Sequence, residues 1–119
     1  MIKLKAKDVA AVRAELLERQ GGVCAICKKP PVIPCLDHFH GTTGHIRGVL
    51  CSGCNAFEGR VAKWQHMCKV TDLPTWLENL AAYLRVHETS QHGLVHPTHK
   101  TADEKKTLAK KRRARKLKS

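Results

Sequence analysis

Two Cys-x-x-Cys pairs, Cys24/Cys27 and Cys51/Cys54, separated by 23 residues, constrain the fold of this chain more than any other feature. Four thiolates at that spacing suit a tetrahedral zinc ion and fill its coordination sphere, so the metal is expected to be structural, with no open position for chemistry. The chain has 119 residues, enough for one small domain that buries only about two-thirds of its unfolded surface. A metal that ties two distant loops together converts binding free energy into folding free energy. Paired cysteines at this spacing favour metal over disulfide in a reducing compartment. Cys35 and Cys68 stand outside the pattern and are read as free or buried thiols, with Cys35 an alternative ligand.

Charge is distributed unevenly. Of the formal net charge of +12, residues 100–119 supply +8, from ten Lys and Arg against Asp103 and Glu104. A polyanion such as DNA or RNA suits such a tail, because each phosphate neutralised releases counterions. An anionic membrane suits it less, since Leu108 and Leu117 are its only bulky apolar residues. The start of the chain has no apolar run of signal-peptide length, and no stretch approaches the roughly 20 apolar residues of a membrane span. The expected location is the cytoplasm, with no membrane partner.

Periodicity predicts a helix over 7–19, where Val9, Val12, Leu16 and Leu17 recur near helical spacing and Gly21-Gly22 stops it. Pro30, Pro31 and Pro34 force an extended loop after the first cysteine pair. Residues 35–40 and 45–50 read as short strands joined by the turn-forming Gly41-Thr42-Thr43-Gly44, a β-hairpin. Cys51-Ser52-Gly53-Cys54 reads as a knuckle opening a helix over about 55–68, with Val61 and Trp64 available to face the hairpin. A further helix over about 73–86 carries Leu73, Trp76, Leu77, Leu80, Ala81 and Leu84 as a stripe expected to form the outer core wall, and Pro74 suits its first turn. Residues 103–118 have helix-forming composition with almost no apolar stripe, and are expected to stay disordered or frayed until nucleic acid binds. The fold class is therefore α+β: a small zinc-stabilised ββα core with flanking helices over residues 1–90, then a histidine-containing linker and basic tail over 91–119.

Between the cysteine pairs lie Asp37 and His38 on the first strand, and Asn55 follows the last cysteine. Hydrolysis of a phosphodiester needs a hard cation to neutralise phosphate and leaving oxygen, and a base to activate water. The Asp37 carboxylate and the Asn55 carbonyl oxygen are hard ligands suited to Mg²⁺ or Mn²⁺, and a neutral His38 can serve as base. Taken singly, these residues read as a turn acid, a half-exposed strand histidine and a helix cap. Bracketed by a zinc site, they read together as a nuclease centre. Successive strand residues point to opposite faces, so Asp37 and His38 share a site only where the strand ends or bulges, and His40 is the alternative base.

The segments Leu36-Asp37-His38-Phe39-His40, Gly44-His45-Ile46-Arg47-Gly48-Val49-Leu50-Cys51 and Cys54-Asn55-Ala56-Phe57-Glu58-Gly59 resemble the recombination endonuclease VII family of phages, within the His-Me finger or HNH nuclease superfamily. The resemblance runs from about residue 20 to 62, and the stretch Val95-His96-Pro97-Thr98-His99-Lys100-Thr101-Ala102-Asp103-Glu104-Lys105-Lys106 is also similar to a segment of phage members. It implies a ββα-metal endonuclease with Asp37 and Asn55 as ligands of the catalytic cation and His38 as general base. His40 and Glu58 match positions that assist in the family's site, and the four zinc cysteines match one for one.

Arg47 and Arg60 flank the proposed site and are candidates for holding phosphate. Lys110, Lys111, Arg112, Arg113 and Arg115 are expected to supply affinity for DNA without base specificity, since the tail has no aromatic residue for stacking. The cluster His87, His92, His96 and His99 reads as a polar linker more readily than as a second metal site. Resolving a junction needs two symmetric sites, whereas nicking needs one, so monomer and homodimer both stay open. The competing reading is a non-catalytic zinc-finger module that binds nucleic acid through its knuckle and tail. A zinc-stabilised protein adaptor is a third, which makes no use of the basic tail.

Overall fold

The computed structural model describes residues 1–118. It has two compact units, Met1–Pro74 and a second from Thr75 onward.

In the first unit a 3₁₀ turn at Ala6–Asp8 leads into α1, Val9–Arg19. The helix ends where Gly21 and Gly22 take φ of +74° and +76°, a backbone region open to glycine at little cost. Their amides close the last turn onto Glu18 O and Leu17 O, both at 2.9 Å. The chain then crosses Cys24–Cys27 and the proline loop to β1, Pro34–His38, which pairs antiparallel with β2, Ile46–Cys51. Cys51 caps α2, Ser52–Met67, its Sγ accepting from the Cys54 amide at 3.4 Å. Strand, strand and helix follow in the expected ββα order, within a few residues of the predicted bounds.

The register carries one irregularity. Asp37 pairs with Gly48 but His38 pairs with Ile46, so Arg47 is an extra residue on β2. A bulge of this kind bends the strand and re-aims the side chain it carries. β1 ends at His38, the next residue.

The free edge of β2 is closed by a side chain. Gln20 donates from Nε2 to Val49 O at 2.9 Å and to Val23 O at 3.0 Å, and its Oε1 accepts from Val49 N at 2.8 Å. Ala25 N adds a bond to Val49 O at 3.1 Å. Gly48 makes room for this: a Cβ there would stand 3.0 Å from the Gln20 Oε1.

The buried apolar core of the described residues is Cys24, Val49 and Leu50, joined by one buried acid, Asp37. On α2, Val61 is half-buried and Trp64 is 58% exposed. The helix α3, Leu73–Val86, has the predicted bounds. None of its residues is buried, and Trp76, Leu77 and Leu84 of its stripe are exposed.

In the second unit the Tyr83 and His87 rings pack at 4.5 Å and His87 stacks with His92 at 6.4 Å. Residues 102–118, expected to lack order without a partner, form α4, Ala102–Lys118. The Thr101 hydroxyl accepts from Glu104 N at 3.2 Å, Asp103 and Glu104 occupy the first turn, and Arg115, Lys116 and Lys118 the last. Cap and charge placement both complement the helix dipole. No described helix is long and apolar enough to cross a membrane.

Candidate active site

Asp37 is the penultimate residue of β1, and only 5% of its surface is exposed. A buried carboxylate needs a partner. The bulge supplies one by turning Arg47 onto it: Nε donates to Oδ2 at 2.7 Å and Nη2 to Oδ1 at 3.1 Å. The same Nη2 lies 3.0 Å from Oε1 of Glu58, one turn into α2. The Arg47 pKa is raised, first by the hydrogen bond to Asp37 and then, against the cost of burial, by the bond to Glu58 and the charges of both acids. Arg47 therefore belongs to the acid cluster and is not a solvated surface arginine.

His40 closes the group. One ligand atom each from Asp37, His40 and Glu58 lie within 4.8 Å of one another. The His38 ring packs on that of His40 with centroids 4.6 Å apart and 59° between planes. His38 is exposed at the end of β1. Asn55 is half-buried in the first turn of α2, three residues before Glu58 and so on the same helix face. Arg60 is exposed on α2, and Lys110, Lys111, Arg112, Arg113 and Arg115 are exposed on α4.

The donor set fits a hard divalent cation. Two carboxylates and an imidazole converge, and Glu58 Oε2 is buried with no hydrogen-bond partner among the described residues. A buried oxygen with free lone pairs is costly unless something binds it. Each Asp37 oxygen also keeps lone pairs beyond the one that faces Arg47.

In the same unit, Cys24, Cys27, Cys51 and Cys54 present sulfurs within 4.8 Å of one another. The Cys27 and Cys51 sulfurs are 3.9 Å apart. That is far beyond a disulfide bond and close to the edge of about 3.8 Å that a tetrahedron with Zn–S of about 2.3 Å requires. The first knuckle is tightened by Lys28, whose φ of +63° lets its amide reach Cys24 O at 3.1 Å, while Ile26 N points at Cys24 Sγ at 3.5 Å. Burial pushes the Cys24 thiol up, yet the backbone amides of Cys51, Cys27 and Ile26 with the Cys27 side chain bring it down to about 6. Cys54 is pushed up to about 12, first by the Cys51 side chain, then by burial and the neighbouring thiols. A zinc dication would favour the thiolate form of all four ligands. Cys35 lies outside the group, its Sγ 3.8 Å from Ile33 O.

A groove of about 730 Å³ opens beside the acid cluster, lined by Phe39, His40 and Arg47 and by the face of α2 that carries Glu58, Gly59, Ala62, Lys63 and His66. Neither this groove nor the Gln20 clamp was anticipated from the sequence. The small residues Gly59 and Ala62, one and four positions after Glu58, were the available signal for the groove; for Gln20 there was none.

The profile of the recombination endonuclease VII family matches residues 2–86. The match ends where α3 ends and leaves out the basic helix α4.

Proposed function

Because the chain belongs to the recombination endonuclease VII family, whose members are DNA endonucleases, we propose that it is a divalent-metal-dependent, HNH-type nuclease. It would hydrolyse phosphodiester bonds in branched or otherwise distorted duplex DNA. The observation that carries this reading is the convergence of Asp37, His40 and Glu58, with Arg47 paired to both acids, in a chain that also gathers a Cys₄ group. A zinc-finger binding module would have no use for that convergence.

Magnesium or manganese bound at this cluster would neutralise the attacked phosphate and the departing 3′ oxygen. Asp37, with Asn55 one turn before Glu58, offers the hard oxygens that hold it. His38 takes the proton from the attacking water: exposed and outside the carboxylate triangle, it keeps a ring nitrogen for that task. His40 and Glu58 hold the site's geometry from inside the triangle. Arg47, fixed by the two acids, presents its remaining donors to a phosphate oxygen and adds positive charge where negative charge develops. In-line attack would leave a 5′ phosphate. The basic helix α4 contributes affinity along the backbone.

Zinc-loaded protein incubated with supercoiled plasmid, with and without Mg²⁺ and beside His38→Ala, tests this. Nicking that needs Mg²⁺ and is lost in the variant is expected. Binding without cleavage on linear and branched DNA, with either Mg²⁺ or Mn²⁺, would leave a zinc-finger binding module instead.

A further inference from the structure

Phe39 sits between the two histidines of the site and is 39% exposed, although an aromatic ring gains by burial. It is nevertheless held in place. Its ring stacks on His45 with centroids 5.1 Å apart and 20° between planes, and its amide donates to His45 O at 2.8 Å. His45 is in turn held by the Thr43 hydroxyl on its Nδ1. Gly41 leaves the ring its space, since a Cβ there would strike it. A fixed, exposed aromatic at the mouth of a groove is a platform.

The groove it faces has Ala62 and Gly59 as a flat wall and Arg47, Lys63 and His66 as cationic or titratable donors. Its acid, Glu58, has Oε1 on Arg47 and leaves Oε2 for the cation of the cleavage site. The occupant is therefore anionic with an aromatic part. From Glu58 to His66 the α2 face runs about 12 Å at about 1.5 Å per residue. At about 3.4 Å of axis per nucleotide this accommodates roughly three nucleotides of one strand. In an intact duplex both faces of a base are covered by its neighbours, so Phe39 can stack only on a base that has lost one.

We propose that this groove is a subsite for an unpaired nucleobase flanking the phosphate that is cut, with Phe39 as its stacking platform and Lys63 and His66 holding the next phosphate. The inference rests on the nuclease reading for the identity of that phosphate, and it makes the site select distorted DNA by contact as well as by charge.

The test measures binding without added Mg²⁺, so that nothing is cut. A gapped duplex carries 2-aminopurine, whose fluorescence falls on stacking, at an unpaired position, and an intact duplex carries it at the equivalent paired position. Wild-type protein is expected to quench the unpaired probe and to prefer the gapped duplex. Phe39→Ala should lower the gapped-to-intact affinity ratio about tenfold, the range of one base stack, and Phe39→Trp should restore it where Phe39→Leu does not. An unchanged ratio in Phe39→Ala, no quenching by wild type, or restoration by Leu as full as by Trp would overturn the subsite. If Phe39→Ala fails to load zinc, the Leu and Trp variants decide. A wild-type protein that quenches the probe yet never nicks plasmid in Mg²⁺ would remove the nuclease reading and leave the subsite standing; nicking without quenching would do the reverse.

Discussion

The guanidinium of Arg47 grips the carboxylate of Asp37 at two points, Nε on Oδ2 at 2.7 Å and Nη2 on Oδ1 at 3.1 Å, and it does so only because β2 carries one residue more than β1 at that level. One cation thereby pairs with two acids, since Nη2 also reaches Glu58. The pair sits at the rim of the buried core, with Asp37 inside and the Arg47 side chain 32% exposed.

Removing that cation strands the buried acid. Arg47→Ala is expected to destabilise the zinc-loaded protein by about 2–3 kcal/mol, below the roughly 3–5 kcal/mol of a fully buried pair because water reaches the guanidinium. Arg47→Lys should recover less than half of this, because a point charge cannot span two carboxylates. Urea denaturation followed by circular dichroism measures both; an Arg47→Ala variant as stable as wild type would show the clamp to be decorative.

Zinc should be needed for the fold. Val49 and Leu50 are the largest buried aliphatic side chains, worth about 1.5–3 kcal/mol each, whereas a structural zinc contributes apparent values of about 10–16 kcal/mol. One zinc per chain is expected by atomic absorption, and Cys24→Ser should lose the cooperative unfolding transition. Cys35→Ser and Cys68→Ser should leave zinc content unchanged.

Gln20→Ala removes both side-chain bonds to Val49 and the one to Val23. A destabilisation of about 1–3 kcal/mol is expected, because the Val49 amide is left without its partner. Faster hydrogen exchange at Val49 would accompany it, and unchanged exchange would mean that another group takes over the strand edge.

The two histidines should separate in rate. His38→Ala is expected to lower the cleavage rate about 10²–10⁴-fold, the usual share of a general base. His40→Ala should weaken half-saturation by Mn²⁺ as well, since His40 stands in the donor group with Asp37 and Glu58. Loss of cleavage in His40→Ala alone would exchange their roles.

Deleting residues 101–119 should weaken DNA binding and make its logarithmic salt dependence shallower by about 0.9 for every phosphate that the tail neutralises, while zinc content stays at one. Thr101→Ala should reduce helicity in α4 by removing a cap worth about 1 kcal/mol, read as a smaller far-ultraviolet signal.

The parts of the fold written in local chemistry were legible in the sequence. Cysteine spacing placed the Cys₄ group, the apolar period gave α1 and α3, and Gly41 to Gly44 gave the hairpin turn. Thr101-Ala102-Asp103-Glu104 is a capping-box signature and could have revealed α4, but the lack of an apolar stripe outweighed it. The bounds of α3 followed from its stripe, but amphipathicity says that a face wants cover without saying what covers it. An irregular strand near Asp37 was anticipated; that the extra residue would be Arg47 on the opposite strand was not, since register depends on both strands at once. Ligand atoms of Asp37, His40 and Glu58 lie within 4.8 Å of one another, whereas the resemblance implied Asp37 and Asn55 as the cation ligands with His40 and Glu58 assisting; Phe39, Lys63 and His66 entered only with the groove.

The side chain of Gln20 along β2 also bears on how copies of this protein can meet. A two-stranded hairpin ordinarily invites a third strand, and an open row of amides and carbonyls is where foreign chains add on and aggregates begin. Here both backbone groups of Val49 are already answered from α1's end. Augmentation along that edge would first have to evict a glutamine, so a protein dense in thiols and short of core carries its own guard against runaway sheet growth.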